Sequence, residues 1–249
     1  MGVQQQLTGQ EKDLGGGFKV RRLLPSAKRQ SVGPFLFFDH FGPVMVVPGA
    51  GHDVRPHPHI GLATVTYMFE GSIAHRDSLG YVQNIEAGAI NWMTSGRGIV
   101  HSERQPLALK NTTYVNHGIQ LWAALPRDHE EVEPSFVHTP ASAIPVVQLP
   151  GAEVRVLVGT AFGHTSPVQA FSNTVYLDVA LAANSSLAIP ALAQELAVYS
   201  VDVDVEIDGQ LIAAHTLAVL TTGQVASIRS TKPARLMILG GDALDGHRH

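Results

Sequence analysis

Two pairs of side chains in this chain have the residue types and the spacing of a metal site. His57 and His59 flank one proline, and His101 and Glu103 flank one serine. Residues two apart on a β-strand project to the same face, so each pair would offer two donor groups to one side of a sheet. Neutral imidazole suits Fe, Ni, Cu or Zn, and a carboxylate also admits Fe or Mn. If the two strands lie close together, the sequence predicts a site for one divalent transition metal.

Such a donor set predicts an open site rather than a closed one. Four protein ligands around an octahedral metal would leave two positions free, and free positions allow chemistry. A purely structural site is the alternative, but closed structural sites are commonly four-coordinate zinc with Cys ligands, and this chain has no cysteine. The other alternative is that these histidines lie on a polar surface loop or form hydrogen bonds in the core.

The elements that would position these residues are predicted to be strands. Short apolar stretches are interrupted at regular intervals by Gly-containing turn signals such as Glu70-Gly71 and Asp208-Gly209, which is typical of an all-β sandwich or barrel. Helical signal is confined to one turn at Asp128–Glu133, and Pro190 makes Ala188–Leu196 a loop or strand edge. The predicted strands are Phe35–Phe38, Ala63–Phe69, Gly118–Ala123, Val154–Val158, Thr174–Val179, Ala197–Val203, Thr216–Leu220 and Arg235–Leu239.

A loose internal repeat suggests two β units. Tyr67–Gly71 resembles Val205–Gly209, and in each half a second strand ends at a Gly turn further on. The Pro-bearing region Pro134–Pro150 would join the units, which gives domains at residues 1–135 and 136–249. The second unit has no His-x-His motif, and its lone His215 is interpreted as structural. Any metal is therefore expected in the first domain.

Other histidines are interpreted mainly as structural. His75 lies in a polar sequence with Asp77 and Ser78, which bond backbone amides in turns, and is expected at a hairpin end. His52 also belongs to the first half, and His117 is expected to be structural. The two histidines of the tail Gly246–His249 are expected in a solvated end.

Further residues of the first half are assigned to the cavity or the core. Asp39 and His40 would help to close a cavity mouth, and Trp92 and Met93 would lie in the core or in the cavity wall.

Composition excludes several classes of function. The formal net charge is -4, so binding to nucleic acid through phosphate neutralisation is not indicated. The absence of cysteine excludes disulfides and thiolate chemistry. No apolar run has the length of a membrane span, and the polar start lacks the features of a signal peptide. The expected location is therefore the cytoplasm, with no membrane partner.

At these residues the sequence resembles the pirin family of bicupins, densely over residues 18–140 and loosely beyond. The long motif that ends in His101-Ser102-Glu103 is highly specific to that family. The resemblance is carried by Phe35–Pro43, His57–His59, Thr64–Tyr67, Glu70-Gly71, His75–Gly80, Asn91–Glu103, Gly118–Trp122 and Leu125-Pro126.

The resemblance implies two stacked antiparallel cupin (jelly-roll) barrels with one metal in the N-terminal barrel. The family's ligands would fall on His57, His59, His101 and Glu103. The metal is usually iron, so Fe(II) is expected first, with Mn, Ni, Cu, Zn or Co as alternatives. In one departure, Ala63 stands where many relatives carry Glu. Metal binding should survive this change, but an acid beside the ligands is missing.

The favoured hypothesis from this resemblance is a metal-dependent dioxygenase that opens flavonols such as quercetin with O2. Glu103 would accept the proton of the substrate hydroxyl, and aromatic side chains would line the pocket. The alternative is a metal-dependent regulatory or interaction module without physiological turnover, acting through a protein partner. A monomer is preferred, because stacking two barrels within one chain would bury faces that single-domain cupins bury by dimerising.

Overall fold

The structure is a computed structural model, and it describes residues 2–15, 18–50 and 53–246. His52, His247 and His249 lie outside these residues. Within the described part of the chain, no helix is both long and apolar enough to cross a membrane. Regular structure consists of antiparallel strands and of the short 3-10 helices Leu107–Leu109, Arg127–His129 and Ala141–Ala143.

Contacts divide the described residues into two compact units. We call the unit built from Gln10–Leu24 and Leu36–Ala143 the N-terminal unit. The C-terminal unit comprises the residues up to Gly9, Pro25–Phe35 and the residues from Ile144 onward. The boundary predicted between residues 135 and 136 falls at the start of a strand, before the chain passes into the second unit, and the domain limits stay a prediction.

The N-terminal unit is built from β2 (Gln10–Asp13), β3 (Lys19–Leu24), β4 (Phe35–Val46), β5 (Val54–His59), β6 (Leu62–Glu70), β7 (Ser72–Asp77), β8 (Val82–Glu86), β9 (Ile90–Thr94), β10 (Ile99–Arg104), β11 (Tyr114–Ala124) and β12 (Ser135–Thr139). A seven-stranded sheet has the order β12-β9-β6-β11-β4-β3-β2, and a four-stranded sheet has the order β5-β10-β7-β8. The two sheets pack through apolar side chains. Val20, Phe41 and Met68 come from the larger sheet, and Ile73 and Ile85 come from the smaller one.

The C-terminal unit repeats this plan. It is built from β1 (Val3–Thr8), β13 (Val146–Leu149), β14 (Ala152–Val158), β15 (Thr160–Ala161), β16 (His164–Thr165), β17 (Thr174–Leu181), β18 (Ser185–Ile189), β19 (Glu195–Ser200), β20 (Val205–Ile207), β21 (Gln210–Ile212), β22 (Thr216–Leu220), β23 (Ala226–Ser230) and β24 (Ala234–Gly241). Its sheets have the orders β1-β22-β19-β24-β17-β14-β13 and β18-β23-β20-β21, with β15 and β16 as a separate pair. Buried Val, Leu and Ile side chains from both larger sheets form one core.

Each predicted strand overlaps an observed one, and most of the observed strands are longer, as β4 and β11 are. One prediction instead runs past the end of its strand. β19 stops at Ser200, whereas the sequence predicts a strand as far as Val203. The Ser200 hydroxyl donates a hydrogen bond to the carbonyl of Val203, which turns the chain back at this point. The predicted turn at Asp128–Glu133 is a shorter 3-10 helix that begins one residue earlier, at Arg127.

Candidate metal centre

The four-stranded sheet of the N-terminal unit carries both predicted residue pairs. β5 and β10 are antiparallel neighbours, with His57 opposite His101 and His59 opposite Ile99. A register shift follows His101, so that Glu103 pairs with Val54. Because residues opposite each other in a sheet share a face, the three imidazoles point to the same side. The predicted adjacency of the two strands is therefore observed.

The three imidazoles converge on one point. The Nε2 atom of His101 lies 3.1 Å from Nε2 of His57 and 3.1 Å from Nε2 of His59. The ligand atoms of the three residues all lie within 4.8 Å of one another. His57 also places Nδ1 2.8 Å from the carbonyl oxygen of Arg55. A carbonyl can only accept, so Nδ1 of His57 carries the proton and its Nε2 presents a lone pair to the cluster.

The environment favours the neutral form of two of these imidazoles, His59 and His101. Burial lowers the pKa of His59 to about 4, and the nearby His57 contributes. Burial also lowers the pKa of His101 to about 2, with further contributions from His57, His59 and His75. Metal binding requires the unprotonated nitrogen, so these shifts favour the form that binds a cation.

Glu103 lines the same cavity, but its carboxylate lies outside the group of three histidines. Among the described residues, the group of mutually close ligand atoms consists of the three histidines and does not include its carboxylate. Its Oε1 lies 3.4 Å from the hydroxyl of Thr66, which is also 2.8 Å from Oε1 of Gln120. Burial raises the pKa of Glu103, against the effects of His57 and Thr66. A carboxylate in such a place is a stronger base than one in water.

His75 is not in a turn, as the sequence interpretation has it, but in the buried strand β7. It pairs with Glu103 on β10, and Asp77 pairs with His101. The His75 ring is stacked on Phe136, with centroids 4.2 Å apart, and its Nδ1 lies 3.4 Å from Nδ1 of His101. The turn begins only at Asp77. His75-Arg76-Asp77 has the same i, i+2 spacing as the two predicted pairs, and that signal could have placed both side chains beside the site.

An aromatic cavity of about 200 Å³ opens onto the histidines. Phe37 and Trp122 stack on each other with centroids 4.1 Å apart, and Trp122 meets His59 edge-on at 5.1 Å. Arg22 lies 4.3 Å above the Phe37 ring and forms a two-pronged ion pair with Asp39, both bonds being 2.8 Å long. The cavity therefore combines flat apolar walls with a few polar groups, which is the usual composition of a small-molecule site.

The remaining assignments of the first half divide between cavity and core. Asp39 lines the cavity. His40 instead packs against His117, with their Nε2 atoms 2.8 Å apart. Trp92 and Met93 are buried on β9.

The donor set fits a divalent transition metal. A hydrogen bond between two imidazole Nε2 atoms needs a proton on one of them, and His101 faces two such neighbours at equal distance. One proton cannot satisfy both contacts, whereas a single cation accepts all three lone pairs. Three imidazoles around a cavity form an open ligand set that suits Fe, Ni, Cu or Zn.

Comparison with known proteins places the chain in a family. The family model described as Pirin matches residues 17–123, and the model described as Pirin C-terminal cupin domain matches residues 176–249. A pirin-like protein of Caulobacter vibrioides is 42% identical over 93% of this chain and 81% of its own length. A Pseudomonas aeruginosa protein with the provisional name quercetin 2,3-dioxygenase is 37% identical over 95% of this chain and 74% of its own.

The likeness extends to structure. A crystal structure of quercetin 2,3-dioxygenase from Acinetobacter baumannii superposes with a TM-score of 0.90 at 36% identity, covering 97% of this chain and 79% of that one. The two β units are thus cupin jelly rolls, as the sequence predicts. The chain belongs to the pirin family of cupin proteins.

Proposed function

We propose that this protein is a metal-dependent dioxygenase that opens flavonols such as quercetin with O2. The observation that carries the proposal is the convergence of three imidazoles on an aromatic cavity. The names of the similar Pseudomonas and Acinetobacter proteins support the same substrate class. His57, His59 and His101 would hold the metal, with Glu103 as the fourth ligand and Fe(II) as the first candidate.

Each side chain has a defined task in this proposal. A bound divalent ion would supply Lewis-acid polarisation of the substrate hydroxyl and access to oxygen chemistry. Glu103 accepts the hydroxyl proton, and its raised pKa suits that task because the carboxylate binds a proton more firmly than in water. The Thr66 hydroxyl lies 3.4 Å from Oε1 of the carboxylate and helps to position it.

The cavity walls position a flat substrate. Phe37 and Trp122 present parallel rings, with an interplanar angle of 11°, on which an aromatic ring system stacks. The ion pair of Arg22 with Asp39 gives the wall a polar point at which substrate hydroxyls can be oriented. These side chains exclude bulk water from the reacting groups.

Ala63 does not weaken the proposed ligand set. Its side chain is fully buried on β6, between Thr94 on β9 and Ala123 on β11, and it is separate from the cavity lining. The three histidines converge without any contribution from this position.

The test is metal analysis combined with oxygen uptake on quercetin. We expect about one metal per chain in the purified or Fe(II)-reconstituted protein, and loss of both metal and uptake in His101→Ala. His164→Ala, which changes an exposed histidine of the C-terminal unit, is the matched control and should retain both. If the protein binds metal but consumes no oxygen, a regulatory role is favoured over the dioxygenase. If it binds no metal even after reconstitution, the proposed metal site is wrong.

A further inference from the structure

We propose that Asp77 and His75 act as a positioning relay that holds His101 in its metal-binding tautomer. The inference rests on the proposed metal site. The relay is a chain of contacts that runs from a turn, through two imidazoles, to the cluster of Nε2 atoms.

The contacts form one continuous path. Asp77 Oδ1 accepts hydrogen bonds from the backbone amides of Leu79, at 2.9 Å, and Tyr81, at 3.1 Å. Asp77 Oδ2 lies 2.9 Å from Nε2 of His75. Nδ1 of His75 lies 3.4 Å from Nδ1 of His101, whose Nε2 faces the other two histidines.

The Asp77 carboxylate determines which atom donates in each hydrogen bond of the relay. An ionised carboxylate only accepts, so Nε2 of His75 carries the proton and donates it. In neutral His75 the other nitrogen, Nδ1, then has a free lone pair. His101 must place its own proton on Nδ1 to donate into that lone pair. Its Nε2 is left unprotonated, which is the state that a metal ligand requires.

The fold holds the relay in place. Asp77 and His75 stand opposite His101 and Glu103 on neighbouring strands, so their side chains share the inner face of the sheet. The side chain of Asp77 is 0% exposed and that of His75 is 6% exposed. Phe136 covers the His75 ring at an interplanar angle of 12°.

Asp77→Asn is the decisive variant because it reverses the direction of the relay. The asparagine Oδ1 can still accept the amides of the turn, while its NH2 group donates toward His75 Nε2. The proton of His75 is then forced onto Nδ1, so His101 must accept there and carry its own proton on Nε2. This is the tautomer that cannot bind metal through Nε2.

Proton–nitrogen correlation NMR on the metal-free protein at neutral pH reads the tautomer directly. We expect the Nδ1–H form of His101 in the unaltered chain and the Nε2–H form in Asp77→Asn. Titration with Co(II) should then show a Kd raised by roughly 10–100-fold in the variant. Asp128→Asn, which alters the exposed pair of Asp128 with His129, is the matched control and should change neither result.

His75→Phe provides a second route, since a phenyl ring can keep the contact with Phe136 while removing the acceptor for His101. It should also raise the Kd for Co(II), with a thermal melt confirming that the chain is folded. An unchanged His101 tautomer in Asp77→Asn would overturn the relay, as would a changed tautomer with unchanged Co(II) affinity. If Co(II) binds neither protein, the tautomer change would still establish the relay, and the failure would belong to the proposed metal function.

Discussion

Glu103 differs from the three histidines in what holds it. The histidines converge through strand pairing, whereas the carboxylate contacts the neighbouring sheet at the Thr66 hydroxyl, 3.4 Å away. Thr66 is buried and also contacts Gln120. The Thr66 hydroxyl on β6 is thus one contact that helps to place the proposed proton acceptor relative to the proposed metal ligands.

Thr66→Val should separate proton acceptance from metal binding. The variant keeps the shape of the side chain but removes the donor, so we expect metal content to persist and kcat for quercetin to fall roughly 10–100-fold. The free energy of unfolding should fall by about 1–3 kcal/mol, because Oε1 of Gln120 loses its 2.8 Å hydrogen bond and Glu103 loses a polar neighbour. Thr64→Val, a buried threonine two residues earlier on the same strand, is the control. Loss of metal in Thr66→Val alone would show that the hydroxyl supports the ligands instead.

The lowered pKa values of the histidines predict an acid-sensitive fold in the metal-free protein. His59 has a pKa of about 4 in the folded chain, against 6.5 for an unperturbed histidine. The unfolded state therefore binds more protons than the folded state as the pH falls below 6.5, and the contribution of His59 to stability is lost between about pH 6.5 and 4. His101 acts in the same direction.

Urea unfolding of the metal-free protein across this pH range measures the effect. His59→Asn removes one of the titrating groups, so the fall in stability between about pH 6.5 and 4 should be shallower than in the unaltered chain. His164→Asn, at an exposed position, should leave the slope unchanged. Equal slopes in the unaltered chain and in His59→Asn would contradict the assignment of a buried neutral His59.

At the scale of elements, the turn between β6 and β7 determines whether β7 can reach the site. Gly71 adopts a φ of 82°, and a Cβ atom there would collide with the carbonyl oxygen of Val115. This turn joins the strand that carries Thr66 to the strand that carries His75 and Asp77. The glycine is therefore required both by its left-handed backbone and by close packing.

Gly71→Ala should accordingly destabilise the protein by more than the cost of placing an alanine at a positive φ, because the added Cβ also collides with Val115. Gly80 is the matched control, because its φ is 94° but an added Cβ would meet open space. We expect Gly80→Ala to cost about 1 kcal/mol of unfolding free energy and Gly71→Ala to cost clearly more, with weakened metal binding. Denaturant midpoints and metal content measure both effects, and equal losses in the two variants would refute the packing argument.

The elements that the sequence predicts best are those with buried apolar faces. Thr216–Leu220 is predicted with the bounds it has, because each of its residues is buried in the C-terminal unit. β7 escapes prediction because its inner face carries His75 and Asp77, which have the composition of a turn. Strand pairing over long sequence distances decides which polar face is buried, and local sequence does not contain that information. The same reason explains why Thr66 and Gln120 go unnoticed as partners of Glu103.

At the scale of the whole molecule, a bound metal should stabilise the two cupin units unequally. The three histidines all belong to the N-terminal unit, and the C-terminal unit has a core of Val, Leu and Ile. A ligand stabilises the folded state to which it binds, by about 2.7 kcal/mol when its concentration is 100 times its Kd. Local opening of the strands that carry the ligands should therefore become rarer on metal loading.

Hydrogen–deuterium exchange with mass spectrometry should show this asymmetry within one chain. On addition of Co(II), we expect slower amide exchange in β5, β7 and β10, because these strands must separate for the site to open. Peptides from β14, β17 and β24 should change little and serve as the internal reference, while His101→Ala should abolish the difference. Equal protection of both units would instead mean that metal affects only global unfolding, and no protection in β5 and β10 would contradict a site formed by His57, His59 and His101.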